Sequence, residues 1–223
     1  MKSIRKVDPD VPSPSQFNHA ITVVTVGKEQ VWVNTTAEVA PFGLIAYNLR
    51  KKKGLIVPPD GVPALIDTPA DSPIPDRELW QIDDTVDDSG TLDAKVSYEV
   101  RGDAEIYLRQ AFRLVPSSKW QEVMGALSKR EGLGKEVSDI QVSDPTATRQ
   151  PFTLSYHVKK TGYVDPAMKK LNLKLSIPNV GLSAASDDDA DGSDPLELGP
   201  PNVHDYHMKL VLPAKYTVRA PVS

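Results

Sequence analysis

Thr91-Leu-Asp-Ala-Lys-Val-Ser-Tyr-Glu-Val-Arg101, followed at once by Gly102-Asp103, is the stretch on which the fold turns. Leu92, Ala94, Val96, Tyr98 and Val100 share one face at period two, as in a strand with one buried side. At Gly102-Asp103 the period changes. Asp103 is expected to cap a helix over 103–115, in which Leu108, Phe112 and Val115 line one face and Pro116 marks the end. A second helix is expected over 118–131. Ser118 with Gln121 forms a capping-box pattern, Trp120, Val123, Met124 and Leu127 follow at helical spacing, and Gly132 and Gly134 stop it.

Working outward, Arg77–Asp87 is a second extended run, joined to the first through Asp88-Ser89-Gly90 as a hairpin turn, and Ala64–Thr68 is a shorter one. Downstream, strands are expected at Glu136–Val142, Phe152–Lys160, Leu171–Ile177 and His204–Leu212, with a last short one at Tyr216–Arg219. Strands, a helical pair, then strands again is the α+β arrangement. The expectation for residues 58–223 is therefore a β-rich antiparallel-sheet module with an inserted helical pair. Residues 1–57 read as a separate unit, because Pro58-Pro59-Asp60-Gly61 is a strong turn signal. Within that unit Ala20–Val26 and Gln30–Val33 are β-branched runs around Gly27-Lys28, the pattern of a hairpin. Thr35–Gly43 is a loop, and Leu44–Val57 holds a short helical turn and a strand.

The chain of 223 residues is 39% hydrophobic, enough for a packed core. A formal charge of -4 gives no overall attraction for nucleic acid or acidic membranes; the one concentrated basic run, Arg50-Lys51-Lys52-Lys53, reads as a solvated loop or edge. No stretch reaches the ~18 apolar residues of a membrane span. There is no cysteine, which excludes disulfides, thiolate metal sites and thiol catalysis by this chain alone while leaving the compartment open. The Pro-rich start, Asp8-Pro-Asp-Val-Pro-Ser-Pro14, is an extended connector and predicts a missing upstream part.

Phe17-Asn-His-Ala-Ile21, Val31-Trp-Val-Asn-Thr-Thr-Ala-Glu-Val-Ala-Pro-Phe-Gly43, and Leu196-Glu-Leu-Gly-Pro-Pro201 with Leu210-Val-Leu-Pro213 together resemble a known family. They are similar to the end of the catalytic domain, and the following β-rich region, of bacterial transglutaminase-like proteins that carry an N-terminal domain of unknown function. Gly90-Thr-Leu92, Arg101-Gly-Asp-Ala104 and Phe152-Thr-Leu-Ser-Tyr156 extend the resemblance downstream. It implies that residues 1–57 are a remnant of the transglutaminase-core antiparallel sheet, with His19 at the family's catalytic His and Asn34 at its Asp. A His at the start of one strand and a carboxamide at the end of its hairpin partner can lie side by side, so that the amide oxygen accepts the imidazole N–H. Asn in place of Asp removes a charge that would stabilise an imidazolium, a change papain-like enzymes tolerate. The family's nucleophile, a Cys at a helix start, is not in this chain and is expected on a segment upstream of Met1.

The resemblance thus implies a non-catalytic portion of a transglutaminase-like protein, an accessory binding or structural module. The other reading is half of a two-chain cysteine amidase, protease or transglutaminase whose Cys-bearing part is a separate partner. The family's usual export implies a periplasmic or extracellular place and a peptide or cell-envelope ligand. No cofactor is expected. Asp187-x-Asp189-x-Asp191-Gly192 copies the first half of a calcium loop, but Leu198 stands where Glu closes such loops and Pro195 interrupts it; a solvated acidic loop is the favoured reading and calcium stays open. His204 and His207 fall on opposite faces of a strand and do not make a metal pair. Trp32 is expected to be core packing. A glycan-binding module would show a concave aromatic surface, and aromatic residues make up only 6% of the chain.

Overall fold

A computed structural model of the chain describes residues 7–11, 13–168, 170 and 199–219. The chain opens with a two-stranded antiparallel hairpin, β1 (Thr22–Val26) and β2 (Glu29–Val33), turned at Gly27-Lys28. A 3-10 turn at Tyr47–Leu49 leads to a second two-stranded pair, β3 (Lys53–Ile56) and β4 (Ala64–Asp67). The Pro58–Gly61 turn, where the sequence places a boundary, lies within the connection of this pair.

The main sheet follows. β5 (Asp76–Val86) and β6 (Leu92–Arg101) pair over ten residues; α1 (Asp103–Leu114) and α2 (Trp120–Arg130) come next, then β7 (Glu136–Val142), β8 (Phe152–Lys160) and β9 (Asn202–Val211). The strand order is β7-β8-β6-β5-β9. The α+β, β-rich class stands. One detail differs from the antiparallel expectation: β9 runs parallel to β5. Local alternation of apolar and polar residues does not encode strand direction.

The β5–β6 turn depends on Gly90. Its φ is +80, and a Cβ there would meet the Val164 carbonyl oxygen at 1.9 Å. Asp87 closes the turn by accepting hydrogen bonds from the Ser89 and Thr91 amides and the Ser89 hydroxyl. The even-numbered face of the sheet is buried beneath the helices. Leu92, Val96, Val100, Phe152 and Val158 are sealed off from water together with Phe112 of α1 and Met124 of α2. Burial of each such side chain contributes about 1.5–3 kcal/mol.

Both helix starts depart from expectation. Asp103 does not cap α1; it is the first helical residue, and its amide is capped by the Asp76 carboxylate from β5. Gly102 precedes it with φ +85, at a place where a Cβ would meet Asp76 Oδ1 at 2.1 Å. A cap supplied from 27 residues away leaves no local signature. The Ser118/Gln121 box does not form, since a 3-10 turn at Ser117–Lys119 starts the second helix and Gln121 donates to the Val137 carbonyl instead. Tyr216–Arg219 is not a strand, and the proposed Leu171–Ile177 strand lies outside the described residues. Trp32 is half-buried on β2 and joins no core.

Candidate functional site

Extending the β1–β2 register outward from Thr22↔Val33 puts His19 diagonal to Asn34 and level with Thr36. The structure brings these three side chains together. His19 Nε2 lies 3.1 Å from Asn34 Oδ1, which also accepts from the Thr36 hydroxyl at 2.7 Å and the Thr36 amide at 3.3 Å. In this arrangement the imidazole donates from Nε2, and Nδ1 is the nitrogen presented as a base. Thr36 Oγ1 is 3.5 Å from the same Nε2 and gives its proton to Asn34, so it is not an activated nucleophile. His19 and Thr36 are exposed and Asn34 is half-buried, so water competes for every one of these bonds. The trio orients a histidine, and the chain contains no cysteine to set beside it.

Thr36 was not singled out in the sequence. Its signal was there: Asn-x-Thr just past a strand end is a pattern in which the Asn side chain turns back onto the next residues.

No group of three or more potential metal ligands occurs among the described residues. His204 points inward, beside the Tyr206 hydroxyl at 3.2 Å and Glu78 Oε2 at 3.6 Å, while His207 is exposed. The Asp187–Leu198 segment lies outside the described residues.

Two further features emerge only from strand register. On the inner face, Tyr98, Trp80 and Tyr206 stand in one cross-strand row, with Trp80–Tyr98 stacked at 4.0 Å and Trp80–Tyr206 at 6.5 Å between centroids. Burial and the Glu78 charge push the phenols of Tyr98 and Tyr206 up, so both stay protonated. On the outer face Gln81, Ser97, Ser155 and Gln141 form a second row across β5, β6, β8 and β7, where short hydroxyl side chains between longer amides leave a shallow trough of about 530 Å³. Its lining mixes polar and apolar residues, and Tyr98 is the aromatic residue among them.

Comparison with protein-family models, with curated proteins and with solved structures finds no match.

Proposed function

We propose that this chain is a non-catalytic portion of a transglutaminase-like protein: an accessory module that binds or supports its neighbours and carries the His-and-amide half of a papain-like arrangement. The observation that supports this reading is the 3.1 Å contact between His19 and Asn34, formed across a hairpin by residues fifteen apart. A second reading, half of a two-chain cysteine amidase or transglutaminase, draws on the β1–β2 hairpin. It is a two-stranded sheet with Val24 and Val26 exposed, which leaves its edges open for a Cys-bearing partner.

Ring-nitrogen NMR of His19 tests the pair. The expected result is a single tautomer protonated at Nε2, which Asn34→Ala converts to a mixture. A ring indifferent to Asn34 removes the basis of both readings. A hydroxamate assay with a glutamine peptide and hydroxylamine separates them from a self-sufficient enzyme: the chain alone is expected to give no product, and turnover would overturn the non-catalytic reading. A Cys-bearing helix encoded immediately upstream, in frame or in a neighbouring segment, favours the enzyme reading, and its absence sinks it.

A further inference from the structure

The two edges of the main sheet are finished differently. On β7 the register slips between Ser138 and Gln141 and Asp139 takes a φ of +50, a bulge of the kind that turns an edge away from further pairing. β9 has no such break. It keeps a regular register with β5 from Asn202 to Val211, and no described strand lies along its other side. α1 and α2 pack over β6, β7 and β8, clear of this edge.

Alternation gives β9 two faces. Tyr206, Met208 and Leu210 lean on the main cluster and stay half-buried. Val203, Asp205, His207, Lys209 and Val211 lie on the outer face, where Val203 is 55% and Val211 47% exposed. This outer row is self-complementary about His207. When β9 meets a second β9 antiparallel and centred there, Val203 falls opposite Val211, Asp205 opposite Lys209, and His207 opposite its own copy. On the inner face the same register sets Tyr206 against Met208, a favourable sulfur–aromatic contact. Pro201 then faces Pro213, so pairing stops at the same place on both strands.

We propose that β9 is the edge through which two copies of this chain join, antiparallel about a two-fold axis at His207, into one continuous sheet. Charge selects both the occupant and the register. Arg77 takes Asp205 Oδ2 at 2.8 Å, which leaves Oδ1 for a second cation, and Lys209 makes no ion pair among the described residues. Slipping by two residues one way puts Asp205 opposite Val211 and Lys209 opposite His207; the other way puts Asp205 opposite His207 and Lys209 opposite Val203. Only the centred register pairs opposite charges, and it does so twice, as a two-fold interface requires. Main-chain hydrogen bonds along the open edge supply affinity, and the side-chain pairs fix the partner.

Sedimentation velocity of the full chain, from micromolar to sub-millimolar concentration, tests this. A concentration-dependent dimer is expected. Lys209→Asp and Asp205→Lys should each weaken it at least about tenfold, because each substitution acts twice across the axis. An equimolar mixture of the two variants should recover the dimer, since Asp again faces Lys at both places. Matching melting curves confirm that the variants fold. Independently of the charge variants, His207→Cys gives the chain its only thiol and should be linked into a covalent dimer by diamide faster than Lys209→Cys. A monomer at every concentration, a dimer indifferent to both charge variants, a mixture that does not recover it, or equal linking at the two positions overturns the proposal. So does protection of the β9 amides in a monomer, because the edge is then filled from within the chain.

Discussion

Asp84 is a carboxylate in an apolar place. It sits on the core face of β5 between Ile82 and Val86, opposite Ala94 and Leu210, is 4% exposed, and its Oδ1 has no hydrogen-bond partner among the described residues. Burial, with the Asp83 charge beside it, pushes its pKa from 3.8 up to about 6. The folded state therefore holds this proton more tightly than the unfolded chain does. Its contribution is fully present below about pH 4 and is lost as pH rises through about 6. Asp84→Asn cannot titrate, so the stability difference between variant and wild type should shift by about 2–3 kcal/mol in the variant's favour between about pH 4 and about pH 7.5. Urea denaturation at the two pH values measures it, and a constant difference would show that the carboxyl ionises normally. The inward position of Asp84 was readable, since Trp80, Ile82 and Val86 set the period; its missing partner was not. His19 and Asn34 were legible for the opposite reason. Their meeting depends on one hairpin and one turn, both written in adjacent sequence, whereas a partner for Asp84 would have to come from elsewhere in the chain.

Helix α1 carries a charged line where amphipathic patterning puts apolar residues. Glu105 and Arg109 are completely buried, and Arg109 donates to Glu105 and to the carbonyls of Asp144, Pro145, Ala147 and Gln150, while its guanidinium lies 5.3 Å from the Phe152 ring. Arg101 takes the carbonyls of Thr148, Arg149 and Gln150 and also pairs with Glu105. The β7–β8 loop is thus wound around two guanidinium groups, which satisfy carbonyls that a buried loop would otherwise strand. Arg109→Ala leaves those carbonyls and half of the Glu105 charge without partners, and should cost about 3–5 kcal/mol in urea denaturation. Arg109→Lys should recover little of this, because three donors on one nitrogen cannot reproduce the fork. A lysine variant as stable as wild type would reduce the role to bare charge. Such elements show the limit of local reading. The bounds of β7 and β8 were set by alternation and are found where expected. The loop carbonyls that cover the Glu105–Arg109 pair, the Asp76 cap and the parallel β9 all come from tens of positions away.

Across the whole molecule, stability is distributed unevenly. The five-stranded sheet and its helices hold the main hydrophobic cluster, whereas no residue of β1 or β2 is buried. Between them runs a tethered segment: Val39, Leu44 and Ile45 are buried, Glu38 pairs with Arg113 of α1, and Arg50 and the Tyr47 amide both engage Asp103. An isolated two-stranded hairpin is marginal in water, while central strands open only with global unfolding. Amide exchange should therefore fall into three tiers. β6 and β8 should be slowest, the tethered residues 44–50 intermediate, and β1–β2 faster than β6 by at least about 100-fold. On the proposed reading of His19 and Asn34 as half of a shared site, saturating β1–β2 with a partner that pairs with its open edges should slow its exchange while leaving β6 unchanged. Protection of β1–β2 equal to β6 in a proven monomer would mean that the hairpin is already complete within this chain, and the reading of His19 and Asn34 as half of a shared site would lose its structural ground.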